Sequence, residues 1–244
     1  MEGDDYWPED RLEIQIKKLK ENPESILCHG SGIIVKDYNY TIWYYPLKFT
    51  KDIIENNPVG SALKIFLCGY NFMLAQSIMI KKEFLLRIGG FKQIPSLFLV
   101  DYPTWMELSL SGRFGFIPEV LGYWRKHSGS ITNIYNENIW LGMAEYSEIF
   151  ISNHKDEIKK LSVRLDNYIK YPGSYAYAFL FKIKLKENKK KEAKKYFKKV
   201  WETRKSLSMQ NRVKVLILSL CLFIPFFPKI YRKYIKLRTS KISA

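Results

Sequence analysis

The spacing of apolar residues predicts helices and strands in alternation near the start of the chain. Leu12, Ile16 and Leu19 recur at i, i+4 and i+7, which predicts a helix. The apolar residues 26–29 then predict a short strand. Residues 30–60 show no regular period, so we expect an irregular insert there.

The next part of the chain predicts a second series of elements. Residues 77–80 predict a strand, and residues 82–88 predict a short helix that ends at a pair of glycines. A further helix is predicted from Pro103, because proline is well suited to a first helical turn. Residues 114–117 and 121–124 predict two more short strands.

The remainder of the chain is predicted to be helical. Residues 137–168 have helical spacing, and residues 175–186 and 189–204 predict a helical hairpin. The apolar stripe of the second hairpin helix consists of Ala193, Phe197, Val200 and Trp201. Together these patterns predict an α/β domain followed by an α-helical C-terminal region.

Composition supports a folded chain without a disulfide framework. The 244 residues are 47% hydrophobic and 16% aromatic, which is enough for a hydrophobic core and argues against disorder. The cysteines, Cys28, Cys68 and Cys221, are far apart and form no CxxC pair. This spacing indicates neither paired disulfides nor a zinc site, and it fits a reducing compartment.

The positive charge of the chain lies in its second part. Residues 1–137 contain 15 Lys and Arg against 16 Asp and Glu, a net charge of −1. Residues 138–244 contain 25 against 8, a net charge of +17. This asymmetry indicates two regions with different roles. The lysines match no recognised nucleic-acid motif, so we do not expect a specific nucleic-acid partner.

A nearly continuous apolar run near the C-terminus suggests contact with a membrane. Residues 215–227 are apolar except for a serine and a proline, and basic residues flank them on both sides. The run is shorter than the roughly 20 residues that span a bilayer as a helix. It therefore predicts a segment that lies at an anionic membrane face, with a buried C-terminal helix as the alternative.

Three carboxylates crowd together at the start of the chain. Glu2, Asp4 and Asp5 occupy four consecutive positions, and like charges this close repel one another. A hard divalent cation such as Mn²⁺ or Mg²⁺ would relieve the repulsion, because these ions favour carboxylate oxygens and often share them with substrate phosphates. The cluster therefore predicts a metal site, with a role as acids before a helix as the alternative.

This cluster opens an ordered set of motifs that resembles a known enzyme family. The set comprises Glu2-Gly3-Asp4-Asp5-Tyr6-Trp7, then Ile88-Gly89-Gly90-Phe91, then Asp101 before a predicted helix, and finally residues 117–131 with Arg125 and His127. In this order the motifs resemble the family 2 glycosyltransferases, which have the GT-A fold. The resemblance covers roughly residues 1–135 and implies a Rossmann-like α/β domain.

The resemblance implies a role for each of these residues. Glu2, Asp4 and Asp5 match the acidic metal motif of the family, which holds Mn²⁺ or Mg²⁺ against the diphosphate of a nucleotide-sugar such as a UDP-sugar. Glu2 departs from the usual first aspartate but keeps a carboxylate. Asp101 matches the general base, whereas Arg125 and His127 match a basic motif near the diphosphate and the acceptor.

The resemblance also implies that part of the family's domain is missing from this sequence. Family members place their nucleotide-binding βαβ units before the acidic motif, and one such unit takes about 30 residues. Only Met1 precedes the motif here. We therefore expect an incomplete GT-A domain with few strands over residues 1–135, a basic helical region over 136–205 and an apolar basic tail over 206–244.

The sequence predicts a glycosyltransferase at the cytoplasmic face of the cell membrane. By resemblance it transfers a sugar from a nucleotide-sugar to a hydroxyl of a saccharide or lipid-linked acceptor, with inversion, in the synthesis of cell-surface polysaccharide or glycolipid. Two alternatives stay open. The chain is an inactive remnant or the C-terminal fragment of a split enzyme, or it is a cationic protein that binds membranes.

Overall fold

The computed structural model describes residues 5–36, 49–95, 97–127 and 129–223, and it is a mixed α/β protein. The elements are α1 (Arg11–Glu21), β1 (Ser25–Lys36), α2 (Lys51–Ile54), α3 (Leu63–Phe66), β2 (Ile78–Ile80), α4 (Lys82–Arg87), α5 (Asp101–Ser109), β3 (Arg113–Lys126), α6 (Ile131–Ile134), α7 (Asn136–Asn153), α8 (Lys155–Lys160), α9 (Asp166–Lys170), α10 (Ser174–Lys186), α11 (Lys190–Thr203) and α12 (Met209–Phe223). The predicted ligands Glu2 and Asp4 lie outside the described residues.

The sheet of the described chain has β1 at its centre. β2 pairs with β1 in antiparallel orientation, with Cys28 opposite Met79. β3 pairs with the other edge of β1 in parallel orientation, with Cys28 opposite Gly115. The order β2-β1-β3 makes the sheet mixed, and the carboxyl ends of β1 and β3 lie together at one end of it.

β1 is three times as long as predicted, and the prediction of an irregular insert from residue 30 was wrong for residues 30–36. Gly30, Ser31 and Gly32 have low strand propensity, which hid the continuation of the strand. Glycine at position 32 leaves room for Leu74, because a Cβ there would lie 2.1 Å from Leu74 Cδ2. Within the same predicted insert, residues 51–54 form α2 and residues 37–48 are not described.

β3 is one strand rather than the two short strands that were predicted. Its pairing partner shifts from Ile117 opposite Gly30 to Val120 opposite Ser31, so Pro118 and Glu119 form a bulge. A bulge tolerates proline within a strand because the missing N–H would not have joined the ladder. The interruption in the sequence pattern is therefore real, but it does not end the strand.

α1 confirms the predicted helix, but two residues of its apolar period face solvent. Leu12 and Ile16 are 54% and 45% exposed, whereas Arg11 and Gln15 are buried. The polar side chains face inward because they bond to backbone carbonyls beside β2. Arg11 Nη2 donates to Ile78 O at 2.8 Å, and Gln15 Nε2 donates to Ser77 O at 3.0 Å.

Two large groups of buried apolar side chains hold the molecule together. The sheet core includes Leu27, Phe66, Phe72, Met106 and Phe150. The helical core, formed by α10, α11 and α12 against α7, includes Ala144, Leu180, Phe181, Val200 and Leu218. α7 contributes to both cores, and backbone bonds such as Gly173 N–H to Leu67 O at 2.8 Å also join the helices to the sheet part.

The predicted helical hairpin is present as α10 and α11, joined by three residues. Ala193 and Val200 of the predicted stripe are buried, but Trp201 is exposed. Tyr196, which was not predicted to face inward, is buried instead. The helical period was therefore right, and the buried face is rotated toward Tyr196.

Candidate functional site

The candidate site lies where the parallel strands β1 and β3 end. Ligands bind to open α/β sheets at the carboxyl ends of the strands, which makes this end the natural place for a site. The segment before α1 reaches it through a short antiparallel bridge, because Tyr123 N–H donates to Tyr6 O at 2.8 Å. This bridge brings Asp5 beside the last residues of β3.

Asp5 is held from two directions. Its side chain is only 5% exposed. Its Oδ1 accepts a bond from the backbone N–H of Arg125 at 2.9 Å, and its Oδ2 accepts a bond from the side-chain amide of Gln76. Hydrogen bonds to a carboxylate are stronger than those between neutral groups, so Asp5 fixes the end of β3 against the loop that carries Gln76.

Two facing glycines make room for the turn that carries Gln76. Gly32 and Gly122 are opposite each other on β1 and β3, and Leu74 and Gln76, at the 3₁₀ turn Ala75–Ser77, pack against them. A Cβ on Gly122 would lie 2.8 Å from the backbone oxygen of Gln76. The absence of side chains on these glycines thus lets the Gln76 amide reach Asp5.

Asp101 lies in the first turn of α5, where a carboxylate is favoured by the helix dipole. Its Oδ2 accepts a hydrogen bond from Asn71 Nδ2 at 2.8 Å. The next residue anchors the helix, because the buried Tyr102 hydroxyl donates to Phe66 O at 2.5 Å. Thr104 ties the helix to the segment after α4 by accepting a bond from Lys92 N–H at 3.0 Å.

Asp5 and Asp101 are held by the same segment of chain. Asn71 and Gln76 both belong to the loop between α3 and β2, five positions apart, and each donates its amide to one of the two carboxylates. Neither amide was singled out from the sequence. The available signal was the presence of two amides within the largely apolar run 70–77, which has little reason to carry them unless they have partners.

The basic motif extends along the end of β3. The Arg125 guanidinium lies over the Tyr6 ring, 5.5 Å from its centre, and the Tyr6 ring stacks on Tyr123 with 4.6 Å between centres. The backbone of His127 forms a turn with Ser130, whose Oγ accepts a bond from His127 N–H at 3.1 Å. The Arg125 and His127 side chains are exposed and accessible to an anion.

The described residues do not by themselves supply a metal centre. They contain no group of three or more His, Cys, Asp or Glu side chains that could hold a metal ion. Asp5 is the one predicted ligand within this part of the chain, and protein donors occupy both of its oxygens. The metal site therefore stays a prediction, and no chemical step below depends on it.

No helix in the described part of the chain is long and apolar enough to cross a membrane. This statement includes α12, which covers the first nine residues of the apolar run predicted from the sequence. The remaining residues of that run, 224–227, are outside the described ranges.

The structure thus brings the predicted residues Asp5 and Arg125 into direct contact and links Asp101 to Asp5 through one loop. His127 follows two residues after Arg125 at the same end of the sheet. Comparisons with protein-family models and with curated proteins found no match for this chain. The assignment of a function therefore depends on the site itself and on the resemblance of its motifs.

Proposed function

We propose that this protein is a glycosyltransferase similar to family 2, with a domain of the GT-A type. The observation that carries the proposal is the hydrogen bond between Asp5 and the Arg125 backbone, together with the shared loop that orients Asp101. These residues are far apart in the sequence, between 24 and 120 positions, and they belong to the motifs on which the resemblance depends. The contact between Asp5 and Arg125 at one end of the sheet, and the loop that bonds to both Asp5 and Asp101, support a common site.

Asp101 would act as the general base. An acceptor hydroxyl has a high pKa, so a carboxylate within hydrogen-bond distance must take its proton as the oxygen attacks. The new bond forms between the acceptor oxygen and the anomeric carbon, and the bond from that carbon to the diphosphate breaks. Attack from the face opposite the leaving group inverts the anomeric configuration. Asn71 would keep the Asp101 carboxylate oriented through its 2.8 Å hydrogen bond.

Arg125 and His127 would bind the nucleotide-sugar at its diphosphate. The leaving diphosphate takes the electron pair of the broken bond, and a fixed cation lowers the energy of that developing charge. Tyr6 restricts the Arg125 guanidinium by lying against it. If Mn²⁺ or Mg²⁺ is bound, the acidic motif Glu2, Asp4 and Asp5 would hold it, with Asp5 also keeping its two hydrogen bonds, and the ion would supply positive charge to the diphosphate.

The proposed partners follow from the same chemistry. The donor is a nucleotide-sugar, with a UDP-sugar as the first choice, and the acceptor is a saccharide or a lipid-linked hydroxyl compound. We place the enzyme in the cytoplasm at the inner face of the cell membrane, where such acceptors are extended into cell-surface polysaccharide or glycolipid. The excess of +17 over residues 138–244 supports attraction to an anionic surface.

Two alternatives make different predictions. An inactive remnant would fold and keep the contacts of Asp5 without turning over any nucleotide-sugar. A cationic membrane-binding protein would bind anionic vesicles but show no affinity for nucleotide-sugars. The hydrogen bond between Asn71 and Asp101 supports the enzyme, because it orients a carboxylate that can serve as the general base.

A donor assay tests the proposal. The full chain is mixed with a panel of UDP-sugars and Mn²⁺ or Mg²⁺, and release of UDP is compared with and without a chelator. We expect release of UDP from at least one sugar, and the chelator shows whether a metal ion takes part. Arg125→Ala should then weaken donor binding by about 10- to 100-fold, because a charge-assisted bond to phosphate is lost.

Arg164→Ala is the matched control, because Arg164 is also exposed but lies away from the site, between α8 and α9. It should bind and cleave the donor as the unmodified protein does. Absence of both binding and release for every nucleotide-sugar tested would reject the proposal in favour of an inactive or purely membrane-binding protein.

A further inference from the structure

α12 presents an apolar face to solvent although it is packed against the protein. The exposed residues of this face, here called the α12 stripe, are Met209, Val213, Leu216, Ile217 and Leu220. With 3.6 residues per turn they lie within an arc of about 100°. Leu216 and Ile217 are 46% and 47% exposed. A contiguous apolar surface of this kind on a folded protein commonly marks an interaction site.

The opposite face of α12 fixes the helix in place. Val215, Leu218 and Leu222 are buried in the helical core. Asn211 at the first turn also donates to the Tyr175 hydroxyl of α10 at 2.7 Å. The helix is therefore docked by one face, and the α12 stripe cannot turn inward without breaking these contacts.

Basic residues border the α12 stripe. Arg212 and Lys214 lie on either side of it by helical position. Lys182 and Lys186 lie one turn apart on α10. Burial lowers the pKa of Lys182, and repulsion from Lys186 and from Lys214 of α12 lowers it further. An apolar stripe with a cationic border matches an anionic lipid surface, in which acyl chains lie beneath charged headgroups.

We propose that the α12 stripe is a docking surface for an anionic lipid bilayer. Leu216, Ile217 and their apolar neighbours enter the boundary between headgroups and acyl chains, and Lys182, Lys186 and Lys214 contact the headgroups. A second copy of the chain is a poorer occupant, because a symmetric contact would bring the two lysine groups together. This inference concerns membrane attachment alone and does not depend on glycosyl transfer.

Vesicle sedimentation tests the docking surface. The full chain is mixed with vesicles of phosphatidylcholine alone or of phosphatidylcholine with phosphatidylglycerol, and the bound fraction gives a partition coefficient. We expect stronger binding to the anionic vesicles. Leu216→Ser with Ile217→Ser should lower that binding by about tenfold or more, because two large apolar side chains no longer leave water.

Leu12→Ser with Ile16→Ser is the matched control. These two residues are similarly exposed on α1, so the same chemical change should leave vesicle binding unchanged. Lys214→Glu provides a second variant, which should weaken binding to anionic vesicles more than to neutral ones. Circular dichroism of every variant confirms that α12 and the rest of the fold persist.

Two results would overturn the docking surface. In one, the Leu216 and Ile217 double variant binds anionic vesicles as well as the unmodified protein. In the other, neither protein binds vesicles, and analytical ultracentrifugation shows a dimer that the double variant loses. That outcome assigns the α12 stripe to a second copy of the chain. Neither result bears on UDP release, so the two proposals fail separately.

Discussion

At the scale of single residues, buried polar side chains position the candidate site. Asp5, Arg11, Gln15 and Gln76 each bond to a neighbour across the sheet end, and all but Gln76 have less than a tenth of their surface exposed. A buried polar group is costly unless it is hydrogen-bonded. Loss of one partner therefore disturbs the other, and Asp5, Gln76 and the Arg125 backbone act as one unit.

His29 makes the stability of the protein depend on pH. It lies in β1 with Phe72, Phe114 and Phe116 around its ring, and its Nε2–H donates to Ile54 O at 2.8 Å. Burial lowers the pKa of His29 to about 4, although the bond to Ile54 favours the protonated form.

We expect this histidine to destabilise the fold in mild acid. In the unfolded chain the pKa is about 6.5, so between pH 6.5 and 4 the unfolded state binds a proton that the folded state does not. The contribution of neutral His29 to the free energy of unfolding is present above pH 6.5. It is lost as the pH falls toward 4, by at most about 1.4 kcal/mol per pH unit.

Urea unfolding of the unmodified protein and of His29→Gln at several pH values checks this expectation. The difference between the two free energies of unfolding isolates His29, because all other groups are common to both proteins. It should be constant above pH 7 and should change in favour of the variant as the pH falls. A difference that stays constant down to pH 4 would mean that the pKa of His29 is the same in the folded and the unfolded protein.

The residues of the site were only partly predictable. Asp5, Asp101, Arg125 and His127 were found because they belong to motifs with a recognisable order. Asn71 and Gln76 were not, because an amide carries no pattern of its own and its role appears only when the loop is placed over the sheet. Leu12 and Ile16 show the reverse case, in which a clear apolar period indicates the helix but not the face that is buried.

At the scale of elements, the packing of the turn Ala75–Ser77 against Gly122 of β3 controls the position of Gln76 in the site. Gly122→Ala should displace this turn, because the new Cβ would lie 2.8 Å from three atoms of Gln76. We expect a loss of about 1–3 kcal/mol in the free energy of unfolding, which is typical of forcing extra volume into a packed region.

Gly129→Ala is the control for this change, because a Cβ there meets nothing closer than 3.4 Å. Chemical denaturation of the two variants gives the comparison. Equal stabilities would show that the turn moves away at no cost, and the bond between Gln76 and Asp5 would then not depend on Gly122.

The helical hairpin contains a buried lysine, Lys184. Lys184 of α10 bonds to Glu137 of α7 and lies 3.2 Å from Glu187 and 3.1 Å from Glu192. Burial alone would lower the pKa of Lys184, but its bonds to the three carboxylates outweigh that effect and raise it. The ion pairs of Lys184 therefore join α10 to α7 and to α11.

Lys184→Met should lower the free energy of unfolding by about 1–3 kcal/mol. This is less than the cost of breaking a fully buried pair, because the three carboxylates are partly exposed and water replaces some of the lost interaction. Lys186→Met, which removes an exposed lysine from the same helix, should change the stability much less. Thermal or urea unfolding distinguishes the two, and equal losses would contradict a special role for Lys184.

The sequence predicted the kinds of elements better than their limits. The hairpin α10 and α11 was found because lysines and apolar residues alternate at helical spacing over many residues. β3 was divided in two because Pro118 interrupts the pattern, and only the shift in pairing with β1 explains why the strand continues. Pairing between distant strands leaves no signal in the local sequence, because it depends on the residues of the partner strand.

At the scale of the whole molecule, the candidate site and the excess positive charge lie in different parts of the chain. The part with the candidate site has nearly balanced charge, and the helical part carries the excess of +17. α7 connects them by contributing to both hydrophobic cores. In the proposed arrangement the helical part attaches to the membrane through the α12 stripe, and the sheet end works on an acceptor nearby.

The most direct test of the central claim is the turnover of Asp101→Asn with a UDP-sugar and an acceptor, measured beside its affinity for the donor. Asparagine keeps the shape of the side chain but cannot take the proton. Asp156→Asn, an exposed change in α8, is the control. We predict that Asp101→Asn lowers kcat by about 10²–10⁴-fold and leaves donor binding unchanged. The control should change neither kcat nor donor binding. Turnover by Asp101→Asn equal to that of the unmodified protein would contradict the account.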